Sequence, residues 1–273
     1  MAAKITTDMS VLSETLLIPL WAKAVEYGRE DAVLRDAEAK RMMDAIDYDF
    51  GKFRKAKLSQ AGCCVRARVF DRMTQDFIAE HPDAVVMQLG AGLDARYERL
   101  GYPAVAAWYD LDLPEVIAVR RELLPESGNH YLAASLFDTA WMDDVAATGK
   151  PVLLLLEGVV MYFPREKMEA WLAEVGRRVP GVNVIMDILA PVAVGKAQQH
   201  DALKQMGKDA PQFEWTVMDS SELESWAPGW RLHEEVYLSD AAGKRFPWWC
   251  RLLCRTRWGY RKFNQRVAWL AGR

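Results

Sequence analysis

Residues 85–96, Val-Val-Met-Gln-Leu-Gly-Ala-Gly-Leu-Asp-Ala-Arg, constrain the fold more than any other stretch. Four of the first five are apolar, and they run straight into Gly90-Ala91-Gly92. A short apolar run that meets glycines and then turns helical reads as a buried parallel strand feeding a helix. Glycines at such a turn let the backbone approach a ligand, and free N–H groups gather at the helix start. The stretch predicts a nucleotide or cofactor pocket, with the rest of the chain as its walls.

From Val85 onward strands and helices alternate, the pattern of a parallel sheet with helices on both faces. The second strand is expected over Ala104 to Tyr109, and its helix over Pro114 to Leu124 with Pro114 near the first helical position. His130 to Ala133 reads as a third strand, and Asp138 or Thr139 caps a helix around Trp141. Pro151 to Leu156 is apolar throughout and belongs at the centre of the sheet as its fourth strand. A helix over Arg165 to Val179 and a fifth strand over Val182 to Leu189 follow.

Ahead of Val85 the chain reads as helical. Thr15 to Val25 is a helix broken by Pro19, Asp31 to Ile46 a charged helix, and Cys64 to Ala79 a further one ended by Pro82. Beyond Leu189 the expectations are a helix over Pro191 to Met206, a short helix over Ser220 to Trp226 and an edge strand over Trp230 to Leu238. Lys244 to Arg273 holds no acidic residue and is rich in Arg and Trp. A basic aromatic tail suits nucleic acid or anionic lipid. The plainer reading, preferred here, is a terminal helix docked through Trp248, Leu252, Leu253 and Trp258.

With 273 residues, 51% of them apolar, the chain can bury a substantial core. A net charge of −3 says little about partners. Neither a signal-peptide pattern nor an apolar run near the roughly 20 residues of a membrane span is present, which makes a cytoplasmic protein the expectation. Cys63, Cys64, Cys250 and Cys254 form no C-x-x-C, and His81, His130, His200 and His233 lie far apart. No metal site is expected, and the thiols read as buried and structural.

Asp110-Leu-Asp112 follows the glycines by about 20 residues, where a ribose partner belongs. Asp112 is equally placed to cap the helix at Pro114. Two ligands suit the geometry, a dinucleotide and S-adenosylmethionine. Gly90-x-Gly92-x-x-Ala95 fits the dinucleotide pattern on its face. Against it, Gly101-Tyr102-Pro103 ends the helix within about two turns, and Asp94 would repel a pyrophosphate at the helix start. A sulfonium with an ammonium group tolerates that acid, so charge favours the methyl donor.

Leu89 to Arg96, Asp110-Leu-Asp-Leu-Pro114 and Glu157-Gly-Val-Val-Met-Tyr162 together resemble the leucine carboxyl methyltransferase family, in particular its bacterial branch of polyketide O-methyltransferases. The resemblance runs from about Asp36 to Tyr237. It implies an α/β class I methyltransferase fold, Rossmann-like, with a seven-stranded, mostly parallel sheet whose last strand is antiparallel. Residues 1–80 would form an N-terminal helical cap. Residues 81–273 would form the donor-binding core, with an insertion around 191–215 and a basic tail.

The resemblance also implies roles. Arg66 would pair with the donor's methionine carboxylate, with Arg68 as a rival. Gly90 and Gly92 would lie under the methionine part, Asp112 on the ribose, and Ser135-Leu136 at the adenine, where the family often carries Asp-Leu. Backbone contacts from Leu136, or the carboxylate of Asp138, would then serve. Glu157 would sit near the donor's amino group. Independently, a carboxylate closing an apolar strand has to face a cation or a polar cleft. Tyr162 would lie on the acceptor side.

The expected activity is an S-adenosylmethionine-dependent O-methyltransferase acting on a carboxylate or hydroxyl of a small molecule, with no nucleic acid and no membrane span involved. A phenol of pKa about 10 profits from a general base, whereas a carboxylate is already ionised. No His lies near Glu157–Tyr162 in sequence, which leans towards carboxyl methylation unless His200 or His233 folds back. The alternatives are an NAD(P)-dependent oxidoreductase and a catalytically silent binding protein.

Overall fold

The computed structural model describes residues 14–196, 201–203 and 211–273. Its sheet has the order β3-β2-β1-β4-β5-β7-β6. The strands are β1 (Val85–Leu89), β2 (Ala107–Asp112), β3 (His130–Ala133), β4 (Val152–Leu156), β5 (Asn183–Ile188), β6 (Arg231–Tyr237) and β7 (Arg266–Ala271). β1 to β5 pair in parallel, and β7 runs antiparallel to both its neighbours. The chain winds outward from β1 to β3, then returns to β4 on the other side. Between β1 and β4 the winding reverses, and a crevice opens at their carboxyl ends.

β4 is buried along its whole length, the central place its unbroken apolar run anticipates. Alternate residues of β1 and β4 feed two separate cores, as a period of two requires. Val86, Leu153 and Leu155 meet Val65, Val69, Phe70, Met73 and Phe77 of α3 (Lys57–Glu80). Val85, Met87, Leu154 and Leu156 meet α6 (Ala140–Ala146) and α7 (Arg165–Arg178) through Trp141, Val145, Trp171 and Val175. A third cluster lies over the carboxyl edge. There Leu17, Leu20 and Trp21 of α1 (Glu14–Tyr27) and Met42 of α2 (Ala37–Ala45) pack with Leu93, Met161, Leu189 and Phe213.

Several local expectations shift for identifiable reasons. Pro19 does not break α1, which runs on through it. It removes one hydrogen bond near the helix start, and the buried Leu17–Leu20–Trp21 face outweighs that loss. α2 begins at Ala37 because Asp36 is its N-cap, accepting the Ala39 N–H at 2.8 Å. α3 starts at Lys57, a turn or more earlier than its apolar stripe suggests. β2 lies about three residues later, so both acids of the Asp110-Leu-Asp112 pair fall inside the strand. Thr139 holds the N-cap of α6 without a side-chain bond, while Asp138 accepts the Ser135 N–H at 2.9 Å. Ser220–Ser225 is a 3-10 turn rather than an α-helix. Where a helix over Pro191 to Met206 was expected, Pro191–Ala193 is a 3-10 turn, and residues 197–200 and 204–210 lie outside the described residues.

The largest difference is the tail. After β6 come α8 (Leu238–Ala242), α9 (Trp248–Leu253) and α10 (Arg257–Phe263), and then β7, which inserts between β5 and β6. No terminal helix docks through the four residues named above: Trp248 is 69% exposed, Trp258 60%, Leu252 51% and Leu253 41%. The buried part is Val267-Ala-Trp-Leu270, an apolar strand covered on both faces. α9 and α10 are too short to bury a stripe, and they meet in a tight turn. A Cβ on Gly259 would lie 2.1 Å from the Leu253 carbonyl oxygen. Among the described residues no helix is long and apolar enough to cross a membrane.

Candidate active site

At the β1/β4 crevice lies a cavity of about 520 Å³, roofed by α1 and walled on the far side by α8–α10. Arg66, Gly90, Gly92, Glu157 and Tyr162 all line it, so five of the anticipated residues converge. Arg66 reaches in from α3 and donates to Glu157 Oε1 (3.2 Å) and Asp187 Oδ2 (3.0 Å). Although burial opposes the charge, Asp187 and Glu157 hold the guanidinium firmly protonated. Arg68, the rival, is exposed on the opposite side of the helix. Gly158 (φ +73°) makes room for this arrangement, because a Cβ there would meet Arg66 Nη2 at 3.0 Å.

Glu157 faces cations, as its place at the end of an apolar strand requires. Its second oxygen is ion-paired with Arg96, itself fully buried and bonded to Asp71 (2.9 Å). Arg96 also lies 3.2 Å from Asp94, which pairs with Lys23 of α1 (2.5 Å) and Arg99 (2.8 Å) and accepts from Gln88 (3.0 Å). Burial works to raise the Asp94 pKa, but Arg99, Lys23 and Arg96 outweigh it and hold the carboxyl well below its usual value. Asp94 lines the cavity, as its place in the glycine loop anticipates, but its charge is balanced by three internal cations. Through Lys23 it fastens α1 to the glycine loop.

The glycine loop departs from a phosphate cradle. Gly90 and Ala91 donate to the Leu111 carbonyl (2.8 and 3.1 Å), Gly92 to Asp112 Oδ2 (2.7 Å) and Asp94 to the Ala91 carbonyl (3.0 Å). The helix that follows, α4 (Arg96–Arg99), is a single turn. With the N–H groups of Gly90, Ala91 and Gly92 already engaged, and only a single helical turn behind them to supply a dipole, the loop offers a pyrophosphate little, and the dinucleotide alternative loses its support. Gly90 (φ +70°) is required by packing as well, since a Cβ would meet Val159 Cγ2 at 2.6 Å.

Asp112, Ser135 and Leu136 do not line the cavity; they stand beside it at the carboxyl ends of β2 and β3. Asp112 accepts from Gly92 and from the Leu113 N–H (2.8 Å), and burial pushes its pKa up. Leu113, not Asp112, is the N-cap of α5 (Pro114–Leu123), so the capping alternative falls. Asp110 is structural: buried, it holds Arg120 (3.0 Å) and Asn129 (2.6 Å). The Leu136 carbonyl accepts from Trp171 (3.0 Å), and Ser135 Oγ from the Phe137 N–H (3.2 Å).

Tyr162, on the 3-10 turn Val160–Tyr162, has its ring 5.8 Å from Phe213, and burial pushes its phenol up to about 12. Among the described residues no histidine lines the cavity; His233 packs on Trp269 instead (4.3 Å between rings). Nor do the described residues hold a cluster of three or more His, Cys, Asp or Glu that could take a metal. Of the four thiols Cys64 alone is fully buried, and Cys63, Cys250 and Cys254 line the cavity.

Sequence reasoning missed Asp187, Lys23, Arg96, Arg99 and Gln265, whose amide donates to Asp187 (2.8 Å). Asp187 was findable. Like Glu157 it is a lone acid against an apolar strand, and the same need for a partner applies.

A mostly parallel seven-stranded sheet with one antiparallel strand, acids ending β2 and β4, and a glycine loop between them define a class I methyltransferase. A crystal structure of an S-adenosylmethionine-dependent methyltransferase from Anabaena variabilis shares the fold, with a TM-score of 0.53 over 77% of this chain and 85% of that one, at 10% identity. The model of the leucine carboxyl methyltransferase family matches residues 17–176. The chain belongs to that family. It is 34% identical to the tetracenomycin polyketide synthesis O-methyltransferase TcmP of Streptomyces glaucescens, covering 86% of each chain. To the S-adenosyl-L-methionine-dependent methyltransferase dpfgK of Gibberella zeae it is 29% identical, covering 82% of each.

Proposed function

We propose that this chain is an S-adenosylmethionine-dependent O-methyltransferase whose acceptor is a carboxylate on a largely apolar small molecule. The observation that carries the reading is the Arg66–Glu157 pair on the cavity floor, held from below by Asp187 and Arg96. An amino acid moiety matches that pair with opposite signs, its carboxylate to Arg66 and its ammonium to Glu157. Asp112 keeps unused lone pairs for the two ribose hydroxyls, and Gly90 and Gly92 leave the methionine part unobstructed. Ser135 and Leu136 would flank the adenine, Leu136 through its apolar side chain, since its carbonyl is committed to Trp171.

Bound there, S-adenosylmethionine supplies a methyl group made electrophilic by its sulfonium. The chain contributes alignment and the exclusion of water, by which most of the acceleration in such a displacement arises. A carboxylate acceptor suits what the described walls offer: Tyr162, with a phenol near pKa 12, is a poor base at neutral pH, and burial raises the Cys63 thiol. A carboxylate needs no base. Leu16, Leu20, Met161, Leu189, Leu203 and Phe213 offer it an apolar bed.

Two measurements test this. Thermal unfolding with saturating S-adenosylhomocysteine should raise the midpoint by several degrees, because a ligand at about 100 times its dissociation constant adds about 2.7 kcal/mol; NADH should leave it unchanged. A shift with NADH alone would defeat the donor assignment. Methyl transfer from labelled donor to matched aromatic acids and phenols then separates the acceptors. Methyl esters release volatile methanol in mild alkali and methyl ethers do not, so label stable to alkali would rule out the carboxylate.

A further inference from the structure

The described residues include ten large apolar side chains that are exposed, and five of them (Trp248, Trp249, Leu252, Leu253 and Trp258) fall within α9, α10 and their turn. Clustering of that kind marks a surface that something covers, since scattered exposure needs no explanation and a patch does. α9 has two faces. Trp249, Cys250 and Leu253 line the cavity, whereas Trp248 and Leu252, four residues apart, do not. Trp258 of α10 is the third large apolar side chain of the hairpin outside the cavity wall.

Charge separates this patch from the rest of the tail. Arg245, Arg261 and Arg266 are neutralised by Glu26 and Asp31, by Asp219 and by Glu235. Arg255, Arg257 and Lys262 have no acidic partner among the described residues, and Lys262 lies over the Trp258 ring at 4.4 Å. Residues 244–273 contain no Asp or Glu at all. Exposed Trp and Leu interleaved with unpaired Arg and Lys match the boundary of an anionic lipid bilayer, where rings sit at headgroup level and cations meet phosphate. A second copy of the chain would bring like charge against like in a two-fold contact. Leucines offer nothing to a nucleic acid backbone.

We propose that the α9–α10 hairpin docks this protein on an anionic membrane surface, with the cavity opening beside the lipid. An amphiphilic acceptor could then pass from the bilayer between α9 and α1. That route rests on the function proposed above; membrane docking does not.

The test uses the full chain with vesicles of phosphatidylcholine alone or with about 30% phosphatidylglycerol, followed by co-sedimentation and tryptophan emission. Binding to the anionic vesicles should appear with a blue-shifted emission, weaken as salt rises, and be slight on phosphatidylcholine. The variant Trp248→Ala/Leu252→Ser/Trp258→Ala should partition about tenfold less. Its unfolding midpoint and its stabilisation by S-adenosylhomocysteine should stay nearly unchanged, because those side chains are exposed and none of them lines the cavity. Arg255→Gln/Arg257→Gln should flatten the salt dependence while leaving weak binding. Three results would overturn the proposal: no binding to anionic vesicles, binding indifferent to the triple substitution, or concentration-dependent dimerisation or oligonucleotide binding through the hairpin in its place. Vesicle binding without any donor binding would uphold docking and remove the function reading instead.

Discussion

The floor of the cavity and its far wall are built on opposite rules. On the floor charges are buried and paired: Arg66, Arg96, Arg99 and Lys23 with Glu157, Asp187, Asp71, Asp36 and Asp94. On the hairpin large apolar side chains stand in solvent and cations lack partners. Buried ions that have lost their water are worth keeping when their geometry is fixed for a small charged ligand. Exposed apolar surface is worth keeping when a larger partner covers it. One cavity thus joins a preorganised end to an unfinished one.

The sharpest way to break that contrast is to strip one floor cation. Arg96→Met leaves Asp71, Asp94 and Glu157 short of a partner and should cost about 3–5 kcal/mol in urea unfolding. A loss under 1 kcal/mol would mean the network is less tightly coupled than its distances imply. Arg66→Ala also leaves Asp187 and Glu157 short of a cation and should cost stability. In the protein that remains folded it should weaken S-adenosylhomocysteine binding by about a hundredfold by calorimetry, with Arg68→Ala as the silent control. Smaller again is Asp112→Ala, expected to weaken the same ligand by about ten- to a hundredfold through lost ribose hydrogen bonds, whereas Asp110→Ala should lower stability first.

Tyr162 gives a pH signature. Its phenol is favoured neutral in the fold, at about 12 against an ordinary 10, so the stability it adds is complete below pH 10 and is lost as pH rises towards 12. Tyr162→Phe should therefore unfold less steeply with alkali, the difference reaching about 1 kcal/mol near pH 11. On the hairpin, Arg255→Met should shift stability by less than about 0.5 kcal/mol. A large loss there would show that the wall is as firmly built as the floor.

The floor's location was legible in sequence, and its wiring was not. An apolar strand ending in glycines, and an acid ending another, announce the β1/β4 edge because local pattern alone produces them. Arg96 and Lys23 look like surface charges until tertiary structure carries α1 over the loop. Tail reasoning failed differently. Basic residues and tryptophans drew attention to 248–258, while Val267-Ala-Trp-Leu-Ala271, as unbroken an apolar run as β4, was given no element of its own. A short apolar run cannot be told from a buried helix by periodicity alone. What settles it is a slot between β5 and β6, which no local window contains.

That slot has a kinetic consequence. β7 is translated after every other strand yet lies inside the sheet, so β6 has no hydrogen-bonding neighbour until residues 266–271 emerge and thread between it and β5. Pairings this distant in sequence close slowly, and an unpaired strand edge invites aggregation meanwhile. Gln265, adjoining that strand, is also what reaches Asp187 beneath Arg66. The nascent chain should therefore acquire a competent donor floor late and abruptly, in the same event that seals its sheet.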